Sequence, residues 1–162
     1  TKRSFYNVAS AMFHNTEISY ACGRIFFLYG ENDKPTRAVP YAIENFLSGK
    51  EVSCNAADAV RDYMHVEDGA DAFVALLKSD LQGAVNIASG IPVTMGEIFR
   101  KIAALTGKEE LLTLNPMKGG APLILAETGR MKEQLGFTPK ISLDEGLART
   151  VEHHKKLRAD SK

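Results

Sequence analysis

The sequence lacks several features that would place it in a familiar class at once. Its 162 residues carry 20 basic and 20 acidic side chains and therefore no net charge. A general nucleic-acid binder needs an excess of lysine and arginine on one face, so we expect no nucleic-acid partner. No apolar run reaches the ~18 residues needed to span a membrane, and no signal peptide is recognisable. We therefore expect no membrane partner and a cytoplasmic location.

Cysteine and histidine are too sparse to predict a metal site. Neither Cys22 nor Cys54 has a second cysteine or a histidine at ligand spacing. We interpret both as small apolar residues in a reducing compartment. His153 and His154 are adjacent in a predicted helix, where neighbouring side chains point apart. We predict no metal site.

Two glycine motifs are also missing. The sequence contains no Gly-x-Gly pattern, so neither a dinucleotide-binding loop nor a P-loop can be drawn in this chain. No serine occupies a Gly-x-Ser-x-Gly turn either, which leaves no sign of a hydrolase nucleophile elbow.

Strand patterns alternate with helix patterns along the chain, which favours an α/β layer architecture. The first helical pattern, over residues 2–15, begins without a convincing cap, and this suggests a fragment of a longer protein. Residues 18–28 are rich in β-branched and aromatic side chains, and we predict one strand buried on both faces. Further strands are predicted near 52–54, 61–66 and 84–88, and helices near 39–47, 69–77, 94–106, 128–135 and 143–162.

The stretch from Arg61 to Asp68 joins a predicted strand to a predicted helix with almost no loop. Asp68 is predicted to cap the helix, because its carboxylate can accept from free N–H groups of the first turn. We interpret His65 as a satisfied core or edge histidine. Arg61 has two open interpretations: a phosphate clamp, because its planar fork matches two phosphate oxygens, or an ordinary ion pair with a nearby carboxylate.

Six motifs occur in an order that matches a known family. They are Arg24-Ile25-Phe26-Phe27-Leu28-Tyr29-Gly30, Val39-Pro40, Arg61-Asp62-Tyr63-Met64-His65-Val66-Glu67-Asp68, Val85-Asn86-Ile87-Ala88-Ser89-Gly90, Leu135-Gly136-Phe137-Thr138-Pro139 and Ser142-Leu143-Asp144-Glu145-Gly146-Leu147. Together they resemble the C-terminal half of an extended short-chain dehydrogenase/reductase, in the NAD-dependent epimerase/dehydratase family that modifies nucleotide sugars.

The resemblance implies part of a Rossmann-type NAD(P)-binding α/β fold. Residues 1–30 would be the last helix and strand of the Rossmann-like domain. Residues 31–162 would form the C-terminal substrate-binding part, with 61–88 packing back on the parallel sheet. The N-terminal nucleotide-binding half, with its glycine-rich loop, would lie upstream of this chain.

The resemblance also assigns roles to individual residues. Lys2 would be the lysine of the Tyr-x-x-x-Lys pair, both catalytic and cofactor-binding, with its tyrosine beyond the start of the chain. The backbone of Phe26 would lie against the nicotinamide. Phe27 stands where the family usually has a substrate-binding asparagine. The other implied substrate-binding residues are Val39, Arg61, Tyr63 and Lys118.

The implied cofactor is NAD or NADP, and the implied partner is a nucleotide-sugar substrate, with a homodimer expected by analogy. The implied function is a fragment of a nucleotide-sugar epimerase, dehydratase or reductase that is inactive alone without the tyrosine. Two alternatives remain: a non-catalytic NAD(P)-binding relative and a stand-alone interaction domain.

Overall fold

A computed structural model describes residues 1–160 of the chain. Five α-helices are separated by short strands: α1 (Lys2–Phe13), α2 (Ala38–Leu47), α3 (Val66–Leu77), α4 (Met95–Thr106) and α5 (Leu143–Asp160). The seven strands are β1 (Ala21–Ile25), β2 (Phe27–Tyr29), β3 (Val52–Cys54), β4 (Val60–His65), β5 (Gly83–Ile87), β6 (Pro92–Thr94) and β7 (Leu112–Leu114). A 3-10 turn (Glu109–Leu111) and a π-helical turn (Arg130–Gln134) complete the pattern. No helix in this part of the chain is long and apolar enough to cross a membrane.

Three strand pairings are parallel, and each joins strands that are distant in sequence. β1 pairs with β5, β2 pairs with β4, and β3 pairs with β7. β6 adds to β4 in the antiparallel direction. Parallel neighbours need crossover connections, which the helices supply here. The predicted α/β class is therefore confirmed.

The larger apolar core lies among α2, α4 and α5. Its fully buried side chains include Ile43 and Phe46 on α2, Ile98 and Ile102 on α4, and Leu147 on α5. The helices present these residues at the three- and four-residue spacing of one helix face. A capping box starts α4: the Glu97 amide donates to Thr94 Oγ1 at 3.1 Å, and the Thr94 amide donates to Glu97 Oε2 at 2.7 Å.

A smaller core lies between α3 and the β1–β5 pair, around Val85, Ile87 and Met131. α1 contributes little to it, because Ala9 is its only buried residue. Phe5, Val8 and Met12 on the same helix are largely exposed. The two sides of the molecule therefore differ sharply in how much apolar surface they cover.

Three local predictions need correction or completion. The strand predicted over 18–28 is two short strands, and β1 is half-exposed rather than buried on both faces. Ser142 caps the Glu145 amide at 3.2 Å, which is one of the two bonds of the predicted capping box. The last helix is predicted to end in a charged segment over 155–162; residues 155–160 continue α5, and 161–162 lie outside the described residues.

The predicted cap at Asp68 is wrong. α3 begins at Val66, and its capping residue is His65, whose Nδ1 accepts from the Glu67 amide at 3.4 Å. Asp68 lies inside the first turn and is buried. Its carboxylate accepts instead from the amides of Lys140 and Ile141, at 3.0 and 2.9 Å. The side chain thus fastens the chain before α5 to the start of α3.

Candidate functional site

Arg61 lies on β4 and is half-buried. Its Nη1 donates to two carbonyl oxygens, at 2.8 Å to Val60 and 2.7 Å to Pro122. The guanidinium carbon is 5.7 Å from the centroid of the Phe27 ring, a cation–π distance. Within residues 1–160 no carboxylate is within ion-pair distance of Arg61, so the ordinary ion-pair interpretation is wrong.

A row of aromatic rings continues from Phe27 into the molecule. The ring centroids of Phe27 and Tyr63 are 5.5 Å apart, and those of Tyr63 and Tyr29 are 6.1 Å apart. Tyr29 meets the His65 ring edge-on at 5.5 Å. Burial raises the pKa of the Tyr63 phenol, while the nearby charges of Arg37 and Arg61 oppose that rise. The row therefore places an apolar aromatic surface, the Phe27 ring, beside the Arg61 guanidinium.

Lys2 lies in a cleft of about 610 Å³ that runs along β1 from Cys22 to Ile25. Lys2, Arg3, Tyr6, Cys22, Gly23, Arg24 and Ile25 line it. The Arg24 guanidinium carbon lies 5.1 Å from the Tyr6 ring centroid. Arg61 does not line this cleft, so the structure does not place Lys2 and Arg61 in one groove. Ile25 lines the cleft and Phe27 lies beside Arg61, so the backbone of residues 25–27 connects the two regions.

Phe26 occupies the break between β1 and β2. Its amide donates to the carbonyl of Ile87 on β5 at 3.3 Å, which holds this backbone in place. Val39 is buried in the larger core at the start of α2, and with 2% of the residue exposed it offers a ligand almost no contact surface. Lys118 is exposed on a turn with Gly119 and Gly120, whose φ angles are 85° and 92°.

Asp62 is the functional candidate that sequence reasoning missed. It is fully buried next to Arg61. Its Oδ1 accepts from the Ser89 amide at 2.8 Å and from Ser89 Oγ at 2.7 Å. Its Oδ2 accepts from the amides of Gly90 at 2.9 Å and Ala126 at 3.2 Å. One carboxylate therefore joins β4 to two distant loops, and no local sequence pattern indicated this.

A second charged cluster lies where β2, α3 and α5 meet. The Arg149 guanidinium donates to Glu67 Oε1 at 2.5 Å and lies 3.7 Å from Glu31 Oε1. His65 Nε2 is 3.4 Å from Glu31 Oε2. The hydrogen bond from Arg149 lowers the pKa of Glu67 below its ordinary value. Ligand atoms of Glu31, His65 and Glu67 lie within 4.8 Å of one another, but the Arg149 cation already compensates the carboxylates. We interpret the cluster as structural.

The family model described as the NAD dependent epimerase/dehydratase family matches residues 1–88. The chain belongs to this family. The recognition made from the six sequence motifs is thus confirmed.

Individual members of the epimerase/dehydratase family resemble the chain over most of its length. GDP-L-fucose synthase 1 of Arabidopsis thaliana is 34% identical over 142 residues, which covers 80% of this chain and 43% of that protein. The chain spans about half the length of the curated relatives it matches, 47% and 43% in two of them.

Solved structures of the family superpose closely on the chain. A UDP-glucose 4-epimerase from Thermotoga maritima, solved with UDP-glucose, gives a TM-score of 0.88 at 28% identity, over 97% of this chain and 52% of that one. A UDP-glucose 4-epimerase from Thermus thermophilus, in complex with NAD, gives 0.82 at 25% identity, over 94% and 51%. The predicted Rossmann-type fold is confirmed.

Proposed function

We propose that the chain is the nucleotide-sugar-binding part of an NAD(P)-dependent epimerase, dehydratase or reductase, and that Arg61 holds the diphosphate. The main support for this proposal is the hydrogen bonding of the Arg61 side chain. Its Nη1 is used on two carbonyls, while no acceptor in residues 1–160 is bonded to Nε and Nη2. A half-buried guanidinium with free donors and no carboxylate partner is suited to a phosphate, which can accept two parallel N–H bonds.

Phe27 and Tyr63 support the same proposal. Their rings are tilted by 31° to each other with centroids 5.5 Å apart, and the Phe27 ring lies beside the guanidinium. A flat aromatic surface next to a cation fits a molecule that carries both a diphosphate and a planar or apolar portion. We propose that Phe27 makes a stacking contact where relatives would use a hydrogen bond, and that Lys118 adds a second positive charge. The buried Val39 would act only by fixing the start of α2.

The cofactor cleft fits NAD(P) in its chemistry. Ligands of open α/β sheets bind outside the carboxyl ends of the strands, and the cleft that Lys2 lines runs along β1 to Ile25, its last residue. An ammonium donor there suits ribose hydroxyl oxygens, and the backbone of Phe26 follows directly after the lining residue Ile25. When bound, NAD(P) supplies hydride transfer. Lys2 would orient the ribose and, through its charge, lower the pKa of a neighbouring tyrosine phenol.

Assembly as a homodimer through α1 and a cytoplasmic location belong to the same proposal. The exposed apolar residues Phe5, Val8 and Met12 support the first.

Calorimetry with UDP-, CDP- and dTDP-sugars tests the proposal. We expect at least one to bind, and Arg61→Ala to weaken it about 10- to 100-fold, because charge-assisted hydrogen bonds are worth ~1.5–3 kcal/mol. Arg100→Ala, an exposed arginine on α4, is the matched control and should leave the affinity unchanged. Absence of binding by these three classes and by GDP-sugars, or equal affinity of the Arg61→Ala and Arg100→Ala variants, would overturn the proposal.

A further inference from the structure

Residues 118–126, which we call the strap, run across β4 without belonging to its sheet. Leu123 makes a single parallel bridge with Val60, and the Ile124 amide donates to the Val60 carbonyl at 3.1 Å. Two residues later the Ala126 amide donates to Asp62 Oδ2. The strap is thus held by backbone and side-chain bonds to three consecutive residues of one strand.

Arg61 provides the middle bond of that series. Its Nη1 donates to the strap carbonyl of Pro122 at 2.7 Å and to Val60 at 2.8 Å. The same guanidinium faces Phe27 and keeps its other donors free of protein acceptors in the described chain. The Arg61 guanidinium therefore donates to the strap through Nη1, while Nε and Nη2 remain available to an anion.

The turn at the start of the strap is surrounded by open space. Gly119 and Gly120 both have positive φ, and a methyl group built on either would meet nothing within 4 Å. The chain before this turn is anchored, since the Asn115 amide donates to the Cys54 carbonyl at 2.9 Å and the Met117 amide to Asp58 Oδ1 at 2.7 Å. Movement of the strap would therefore be confined to residues 118–126.

We propose that the strap is a closing element coupled to the anion position through Arg61. This inference rests on the proposed function of Arg61. A diphosphate bound to the free donors fixes the guanidinium in one rotamer, so that the bond to Pro122 no longer costs side-chain entropy. By thermodynamic reciprocity, a closed strap then strengthens diphosphate binding by the same factor.

Hydrogen exchange of single amides tests the coupling. The probe is inorganic pyrophosphate at saturation, compared with sodium chloride at equal ionic strength, and its binding is followed by calorimetry on the same sample. We expect exchange of the Ile124 and Ala126 amides to slow by about fivefold or more, the lower range of typical couplings. The Asn115 amide, which lies before the strap, should keep its rate.

Arg61→Lys separates charge from geometry. Lysine keeps the positive charge but lacks the fork that can hold an anion and a carbonyl at once. We expect this variant to bind pyrophosphate more weakly and, at saturation, to show no slowing at Ile124 or Ala126. Slowing that persists in Arg61→Lys would overturn the coupling.

The outcomes distinguish the two proposals. If pyrophosphate binds the unmodified protein and neither amide slows, the strap inference is wrong while the anion site stands. If neither pyrophosphate nor any nucleotide sugar binds, the proposed function fails and the inference with it. Absence of slowing in the unmodified protein would refute the strap inference even if Arg61→Lys does not fold.

Discussion

The helical side of the molecule, built on α2, α4 and α5, and the sheet side, built on α1, α3, β1 and β5, differ in how completely they bury their apolar residues. On the helical side three helices enclose a continuous core in which Phe46 and Ile98 have no exposed surface. On the sheet side α1 leaves Phe5 72% exposed, and α3 leaves Leu77 87% exposed. The comparison teaches that the helical side is stabilised within this chain, whereas the sheet side presents a surface suited to contact with further protein.

The largest effect is expected from a cavity in the helical core. Phe46→Ala should lower the free energy of unfolding by about 3–5 kcal/mol, because burial is lost and a void is left. Val8→Ala on α1 is the comparison variant, with an expected change below about 0.5 kcal/mol. Urea denaturation followed by circular dichroism measures both. Equal losses in the two variants would refute the contrast between the sides.

Next in size is the loss of the Asp62 carboxylate, which lies between the two sides. Asp62→Asn replaces one carboxylate oxygen by an NH₂ group, which cannot accept the hydrogen bonds that backbone amides donate to that oxygen. We therefore expect the free energy of unfolding to fall by about 3 kcal/mol. Asp71→Asn, an exposed acid on α3, should change stability by less than about 0.5 kcal/mol. The same denaturation experiment compares the variants, and a neutral Asp62→Asn would show that the loops do not depend on this residue.

The exposed face of α1 is expected to promote association. Replacing Phe5 and Met12 together by serine should lower the average mass seen by light scattering, because less apolar surface remains to be covered. Tyr41→Ser on α2 removes an aromatic ring of the helical side that is 40% exposed, and it should leave the mass unchanged. A monomer of unchanged mass before and after the double replacement would contradict this use of the face.

The smallest effect concerns the charged cluster that joins α3 to α5. The pKa of Glu67 is lowered by Arg149, so the folded state favours the ionised form. This contribution is fully present above the unfolded pKa of about 4.3 and is lost as the pH falls through the lower folded value. Glu67→Gln should therefore reduce the melting temperature slightly at pH 7, and by less below about pH 4. A difference that grows on acidification would contradict the assignment.

Much of the fold could be predicted from local sequence patterns. The spacing of apolar residues on α2 and α4, and the Thr94–Glu97 capping box, follow from interactions within a few residues. The resemblance carried by the family motifs then indicated that the sheet is parallel. The strand over 18–28 was predicted too long and too buried, because apolar composition alone does not reveal how many neighbours a strand finds.

The site was harder to predict because its geometry depends on distant partners. Asp68 satisfied the local rule for a helix cap, but the amides of Lys140 and Ile141, more than seventy residues away, bind it instead. Asp62 carried no signal of its own, since its partners come from residues 89–90 and 126. For Arg61, the pattern left phosphate and carboxylate as alternatives, and the structure adds the Pro122 carbonyl, which neither alternative contained.

The four hydrogen bonds accepted by Asp62 have a practical consequence for anyone who builds chimeras from this family. If the loop that ends at Ala126 is exchanged for one of different length without the matching Ser89-Gly90 turn, the buried Asp62 carboxylate loses hydrogen-bond donors and is left as an uncompensated charge. Asp62 and both loops therefore have to be transferred together.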